Sequence, residues 1–298
     1  MFGLSRAAPL DNRFLFNFSA SYSGGGHKRL HAYTRWFAAR GGSWFVIHPR
    51  CAHLIDEFPQ NRFFIVSHSH LRRLVDDWNY LERIVAQIGR PDLYYAYGIP
   101  LDRPVGQVNW SHLNNILTVH ARGVPLTPSW RMKFIFLGRR LRRGMAHAQV
   151  VSAESNYSLV RLRAWGLGEP VLSLNGADDQ LVALRTSNRE PPRDTAVVVE
   201  TYTDRALKES YHVFQTLRRG QARLRLLIVG DPRSIPAAIR RDAAVEICGE
   251  LPRVEVLCHL RTARFFINTS YAENSYNCAA GRHLARPGFL RVDNRPAP

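Results

Sequence analysis

Short apolar runs alternate with amphipathic stretches along most of the chain, and this alternation is the feature that most constrains the fold. The first apolar run, 14–18, is followed by Gly24–Gly26 and then by the helical spacing of Leu30, Tyr33 and Phe37. Short apolar runs predict buried strands, and the 3.6-residue spacing predicts helices. Strands that alternate with helices predict an α/β fold with a parallel sheet.

The alternation occurs in two series. Strands of the first series are predicted at 14–18, 44–47, 63–66, 93–97, 105–110, 148–152 and 171–174. The second series has predicted strands at 196–199, 224–229, 245–248 and 264–268. The main helices are predicted at 71–88, 129–146, 155–165, 206–218 and 253–262. A polar segment that ends in Pro-Pro separates the two series, as a linker between domains does.

A chain of 298 residues is long enough to form two packed cores. The sequence therefore predicts two Rossmann-like domains. The first covers 1–174, the linker covers 175–194 and the second covers 195–298.

The net charge of +17 favours an anionic partner, although much of it reflects a preference for arginine. Only three of the 41 basic residues are lysines. No nucleic-acid-binding motif accompanies the charge, so we expect no nucleic-acid partner. The run Arg139–Arg143 beside the apolar 134–137 on a predicted helix has two interpretations. It is a peripheral contact with an anionic membrane, or a helix with its apolar side in the core and its charges in water.

Three glycines, Gly24–Gly26, lie between the first predicted strand and the first predicted helix. Small residues at this place let the backbone approach a ligand, and the start of a helix attracts an anion. The pattern departs from GxGxxG because position 29 is arginine, which disfavours a dinucleotide cofactor. A tight turn without a ligand is the alternative.

Two basic residues, Arg205 and Lys208, lie at the start of the helix that follows the first strand of the second domain. A cation at this edge of the sheet stabilises the charge that a departing diphosphate gains. Plain surface charge is the alternative.

Glu273 and His120 are the candidate catalytic residues. Glu273 follows an apolar strand, so we expect its carboxylate at the crevice where open α/β sheets bind ligands. A favourable charge at a helix start is its alternative role. His120 is predicted to follow a strand on the same edge as the glycines, where it can bind a sugar hydroxyl or transfer a proton. Its alternative is a structural histidine.

Taken in order, these segments resemble glycosyltransferase family four, a group of retaining enzymes with the GT-B fold. Residues 23–49 resemble the family's glycine loop and first helix, and Asn-Gly-Ala-Asp at 175–178 resembles the Asn-Gly-Val-Asp of its domain junction. Residues 226–231 and 247–277 resemble its donor domain. The resemblance covers residues 14–278. It implies that 1–174 is the acceptor-side domain and that 195–298 is the nucleotide-sugar donor domain.

The resemblance implies a role for each candidate residue. The implied donor-binding residues are Gly24, Gly25, Gly26, Arg205, Lys208, Glu250, Leu251, Asn274 and Ser275. Of these, the glycines and Lys208 would face the diphosphate, and Glu250 with Leu251 would lie near the nucleobase. Glu273 would contact the transferred sugar, with His120 near it. No metal and no cofactor besides the nucleotide-sugar donor are expected.

The sequence also departs from the family. Glu200-Thr201 occupies the place of a glycine-arginine pair that binds phosphate, and Gly281 occupies the place of a second glutamate that holds the donor ribose. The apolar periodicity is lost from about residue 280. We therefore expect an incomplete second domain, through truncation or a frameshift, and low activity.

The expected function is transfer of a sugar from a nucleotide-diphosphate sugar to a glycan or lipid-linked acceptor with retained configuration, in cell-surface polysaccharide synthesis. The alternative is an inactive GT-B protein that binds a sugar, a nucleotide or a partner protein. No run of about eighteen apolar residues occurs. We expect a cytoplasmic protein, with or without contact at the inner face of the membrane.

Overall fold

The computed structural model describes residues 12–66, 79–121, 124, 126–175, 193–199, 204–232 and 235–269. The chain divides into two compact units between Asn175 and Gly176, except that residues 124–126 group with the second unit. Each unit is an α/β structure built around one parallel sheet.

Seven parallel strands form the sheet in the described part of the first unit, in the order β3-β2-β1-β4-β5-β6-β7. They are β1 Phe14–Asn17, β2 Trp44–Ile47, β3 Arg62–Ile65, β4 Leu93–Tyr97, β5 Val108–Leu113, β6 Val150–Ala153 and β7 Val171–Leu172. The helices are α1 Gly24–Ala38, α2 Leu54–Glu57, α3 Asn79–Ile88, α4 Leu117–His120, α5 Pro128–Met145 and α6 Asn156–Arg163. A 3-10 turn covers Pro49–Cys51.

The core of the first unit lies on both faces of the sheet. Successive strand residues point to opposite faces, so Leu15 and Tyr94 pack on one side while Phe16 and Tyr95 pack on the other. Helix α1 covers the second side with Leu30 and Phe37. Burial on both faces explains why these strands are continuous apolar runs in the sequence.

The second unit has a smaller parallel sheet over its described residues, in the order β10-β9-β8-β11. Its strands are β8 Arg193–Val199, β9 Arg225–Val229, β10 Val245–Gly249 and β11 Ala263–Phe266. Its helices are α7 Asp204–Arg219, α8 Ala237–Arg240 and α9 Arg253–Thr262. Phe214 of α7 packs against Val198 and Ile228 in a buried cluster.

The predicted α/β class is confirmed, and two strand positions are corrected. The strand predicted at 105–110 is β5 at Val108–Leu113, because the side-chain oxygen of Asn109 accepts hydrogen bonds from the amides of Val105 and Gly106 and holds them in a turn. The strand predicted at 148–152 begins at Val150, because the amide of Ala148 still bonds to the carbonyl of Met145. Both shifts come from local hydrogen bonds at the entry to a strand.

Each sheet contains a switch point, a place where the chain changes the direction in which it adds strands. The switch point lies between β1 and β4 in the first unit and between β8 and β11 in the second. Loops diverge there at the carboxyl ends of the strands and leave a crevice, where open α/β sheets bind their ligands. The residues at these two edges are therefore the candidates for a binding site.

Candidate functional site

The carboxyl end of β1 leads into helix α1 through a short loop, residues 18–23, and the three glycines form the first turn of the helix. Gly24 has a φ of 58°, and no atom lies within 4 Å of the place where a Cβ would be. Gly26 has no such room, because a Cβ there would lie 3.0 Å from Ser21 and 3.2 Å from the Tyr97 ring. The loop is therefore closed towards the sheet and open at Gly24.

The amino end of α1 offers hydrogen-bond donors to a ligand. Ser23 makes no side-chain capping bond, and the first turn holds no acidic residue. The Ser21 hydroxyl is buried, has no hydrogen-bond partner among the described residues and lies against the same turn. Uncapped amides at a helix start carry partial positive charge and bind anions. This end of α1 is a candidate phosphate site.

A buried charged cluster lies beside the glycine turn, at the ends of β4, β5 and β6. Arg29 of α1, His112 of β5 and Glu154 after β6 are each at least 95% buried. The Glu154 carboxylate lies 3.7 Å from the Arg29 guanidinium and 3.5 Å from His112 Nε2. It accepts a hydrogen bond of 2.8 Å from the hydroxyl of Tyr97. A buried charge is tolerated only with such partners, so the cluster fixes its members tightly.

Burial governs the protonation states in this cluster. Burial lowers the pKa of His112 to about 4, although the hydrogen bond to Glu154 raises it. Burial, and next the charge of Glu154, raises the pKa of Tyr97 well above its usual value. Burial also disfavours the charged form of Arg29. The electrostatic attraction of Tyr95, Tyr97 and Glu154 outweighs that effect and raises the pKa of Arg29. Near neutral pH, His112 is neutral and Arg29 is charged.

Arg29 also holds the segment that leaves the first unit. Its guanidinium donates to the Ser173 carbonyl oxygen at 2.9 Å and to the Asn175 side-chain oxygen at 3.1 Å. Asn175 begins the Asn-Gly-Ala-Asp sequence. One side chain thus connects the helix of the glycine turn to the end of the first unit.

In the second unit, helix α7 and the segment after β11 meet at the switch point. The Thr269 hydroxyl donates a hydrogen bond to the Ala206 carbonyl and lies 2.8 Å from the Ser210 hydroxyl. Lys208, between those two positions on α7, is exposed. Glu250, exposed, and Leu251, half-buried, follow directly after β10. Lys208 and the chain that leads towards Glu273 therefore share one edge of this sheet.

The remaining predicted residues have different outcomes. His120 ends the short helix α4, and its Nδ1 lies 3.2 Å from the Tyr157 hydroxyl. Burial, and next the charge of Arg161, lowers the pKa of His120. In the described part of the chain, the hydrogen bond and the ring contact of His120 are both with Tyr157. Arg205 lies in α7 at a position where only the backbone is described.

Glu273, Asn274 and Ser275 lie outside the described residues. Among the residues that are described, no group of three His, Cys, Asp or Glu side chains is placed to hold a metal ion. Within the same ranges, no helix combines the length and hydrophobicity that a membrane-crossing segment needs.

Arg29, His112 and Glu154 were not predicted from the sequence, although the position of each carries a signal. Arg29 is a charged residue on the apolar face of α1, at the helical spacing of Tyr33 and Phe37. Glu154 follows an apolar strand directly, which is the argument that selected Glu273. His112 is the fifth residue of β5, next to its carboxyl end, whereas His120 lies on the following helix. In each case the signal is a polar residue on a face that the apolar pattern predicts to be buried.

The solved structures similar to this chain include enzymes of nucleotide sugars. The protein Alr3699/HepE of Anabaena, solved in complex with UDP and glucose, is 14% identical with a TM-score of 0.59, and the match covers 94% of this chain and 80% of that one. The α,α-trehalose 6-phosphate synthase of Burkholderia multivorans is 9% identical with a TM-score of 0.58, over 95% of this chain and 84% of that one. The chain has the GT-B fold.

The GT-B fold does not by itself determine the reaction. A UDP-N-acetylglucosamine 2-epimerase from Rickettsia bellii also matches, at 11% identity and a TM-score of 0.52, over 85% of this chain and 72% of that one. No protein-family model matches the chain, and no curated protein sequence matches it. Function must therefore be argued from the site.

The buried neutral His112 predicts a pH-dependent stability. The unfolded chain binds a proton at this histidine below about pH 6.5, whereas the folded chain does so only near pH 4. The free energy of unfolding should therefore fall as pH decreases through this window, by at most about 1.4 kcal/mol per pH unit from this group. Urea unfolding at about pH 7 and about pH 5 measures this loss, and the variant His112→Gln should lose less. Equal losses in both proteins would rule out His112 as the cause.

Proposed function

We propose that this chain is a glycosyltransferase that transfers a sugar from a nucleotide-diphosphate sugar to a glycan or lipid-linked acceptor with retained configuration, in cell-surface polysaccharide synthesis. The observation that carries the proposal is the uncapped amino end of α1 at the switch point of the first sheet. The open position at Gly24 and the unpartnered Ser21 hydroxyl support a ligand there. Such a site suits the oxygen atoms of a phosphate.

The second unit carries the other proposed donor-binding residues. Lys208 is exposed at the carboxyl edge, and Arg205 precedes it by about one turn of α7. Glu250 and Leu251, after β10, would lie near the nucleobase, and Asn274 and Ser275 would complete the donor contacts. The bond to the leaving diphosphate breaks with a gain of negative charge. A helix start and a lysine stabilise that charge, so the proposed reaction needs no metal and no further cofactor.

His120 and Glu273 are the proposed groups at the reacting sugar. The lowered pKa of His120 keeps its ring neutral near pH 7, where a neutral imidazole can accept a proton or a hydrogen bond. Glu273 follows the segment that Thr269 holds against α7. Its carboxylate would contact the transferred sugar.

A second candidate function is binding without turnover. The sequence departures at Thr201 and Gly281 favour it, because one would remove a phosphate-binding cation and the other a carboxylate for the donor ribose. The two candidates share the nucleotide site and differ in catalysis. Release of the free nucleotide from a panel of nucleotide sugars distinguishes them.

The donor site predicts that a nucleoside diphosphate binds and that Lys208 contributes to its affinity. Calorimetric titration with UDP, GDP and ADP should give binding for at least one of them. The variant Lys208→Ala should bind that nucleoside diphosphate about tenfold more weakly, a loss of about 1.4 kcal/mol in binding free energy. Lys133→Ala is the matched control, since Lys133 is also an exposed lysine but lies over the Trp130 ring on α5. Absence of binding by the folded wild type, or equal weakening in both variants, contradicts the donor-site assignment.

We further propose that α5 contacts an anionic membrane at the inner face, which would bring the enzyme to a lipid-linked acceptor. Met132 and Phe136 are 64% and 51% exposed, and Arg139 and Arg143 continue the same face of the helix. An exposed apolar pair that continues into arginines matches a surface of anionic headgroups above acyl chains.

Vesicle co-sedimentation tests this contact. The chain should bind vesicles that contain phosphatidylserine better than neutral phosphatidylcholine vesicles, and the double variant Arg139→Gln/Arg143→Gln should lose about 2 kcal/mol, or roughly thirtyfold. The control is the double variant Arg223→Gln/Arg241→Gln, which has the same net charge as the first double variant but changes exposed arginines of the second unit. Equal partitioning to both vesicle types, or equal losses in both double variants, excludes the proposed contact.

A further inference from the structure

Two loops at the carboxyl ends of β1 and β2 are joined beside the glycine turn. The Cys51 thiol lies 3.8 Å from the Ser21 carbonyl oxygen, to which it donates a hydrogen bond. The rings of Tyr22 and His48 are 4.4 Å apart between centroids. The segment 48–51 is therefore held against the loop that enters α1, and the residues that it carries lie near the start of that helix.

Arg50 projects from this segment in a defined position. Its backbone amide donates to His48 Nδ1 at 3.2 Å, and its guanidinium lies over the Tyr22 ring, 5.1 Å from the ring centroid. The residue is exposed, and no carboxylate of the described residues pairs with it. A cation that is ordered by an aromatic ring, but not neutralised by an acid, remains available to an anion.

Two sources of positive potential thus lie close together. Tyr22, which holds Arg50, is separated from Gly24 by a single residue, and Gly24 opens the uncapped first turn of α1. The buried Ser21 hydroxyl, which has no partner, adds a donor against the same turn. In the proposed function the helix amides and the Ser21 hydroxyl bind the donor diphosphate. The Arg50 guanidinium beside them is then left for a second anionic group, a phosphate or a carboxylate.

We propose that Arg50, held by Tyr22 and His48, binds the anionic group of the acceptor, which is therefore a sugar that carries a phosphate or a carboxylate. The proposal rests on the proposed function and on the implied role of 1–174 as the acceptor-side domain. Arg50 belongs to the first unit and lies one strand away from its switch point. It extends the site towards β2, on the side of β1 opposite β4.

Calorimetric titration of the full chain tests the proposal, with glucose 6-phosphate, glucuronate and glucose as probes. At least one anionic sugar should bind about tenfold more tightly than glucose. Whichever of the two binds more tightly shows whether the site prefers a phosphate or a carboxylate. The variant Arg50→Gln should lose about tenfold in affinity for that sugar and little for glucose. Arg40→Gln is the matched control, because Arg40 is an exposed arginine over the Trp36 ring, just beyond the other end of α1. The affinity of Arg40→Gln for the anionic sugar should stay within about twofold of the wild-type affinity.

Several outcomes overturn the proposal. Equal binding of glucose and both anionic sugars, or an unchanged affinity in Arg50→Gln, removes the role of Arg50. Displacement of the anionic sugar by saturating UDP assigns the anion site to the donor and contradicts the acceptor role. If the anionic sugar binds through Arg50 but UDP does not bind at all, the anion site stands and the proposed transferase function fails.

Discussion

The first unit depends on the buried ion pair between Arg29 and Glu154. The Arg29 guanidinium is almost inaccessible to water, so its charge must be compensated by the protein. Glu154 supplies the opposite charge, the Tyr95 hydroxyl accepts a hydrogen bond at 3.2 Å, and the Ser173 carbonyl accepts another. Glu154 follows β6, Tyr95 lies within β4 and Ser173 follows β7, whereas Arg29 itself comes from α1. Breaking such a pair leaves an unpaired buried charge, which costs about 3–5 kcal/mol.

This interaction explains why the edge of the sheet is suited to binding. The arginine fixes α1 relative to β4, β6 and β7, and the tight contact of Gly26 with Tyr97 sets the depth of the helix start. These contacts position the first turn of α1 without a capping side chain. Preorganised donors bind a developing charge without the cost of reorganisation. The same GT-B scaffold also occurs in an epimerase, so the specific residues around this edge must determine the reaction.

The sequence predicts the fold better than it predicts the site. Runs such as Trp44–Ile47 are apolar because they are buried on both faces, and this signal depends on the local sequence alone. The cluster of Arg29, His112 and Glu154 depends on three segments that are far apart in the chain and meet only after the sheet has formed. His120 was predicted from its position after a strand alone. In the structure it contacts Tyr157 and is not part of the cluster. Its proposed role near the sugar therefore stays a prediction, as does that of Glu273, which is outside the described residues.

The central claim is that the phosphates of a nucleoside diphosphate bind at the start of α1. A crystal structure of the chain with UDP tests it most directly. The account predicts phosphate oxygen atoms within about 3 Å of the backbone amides of Gly25 or Gly26. A diphosphate bound elsewhere, for example among the arginines of α5, with the first turn of α1 free of any ligand, would contradict it.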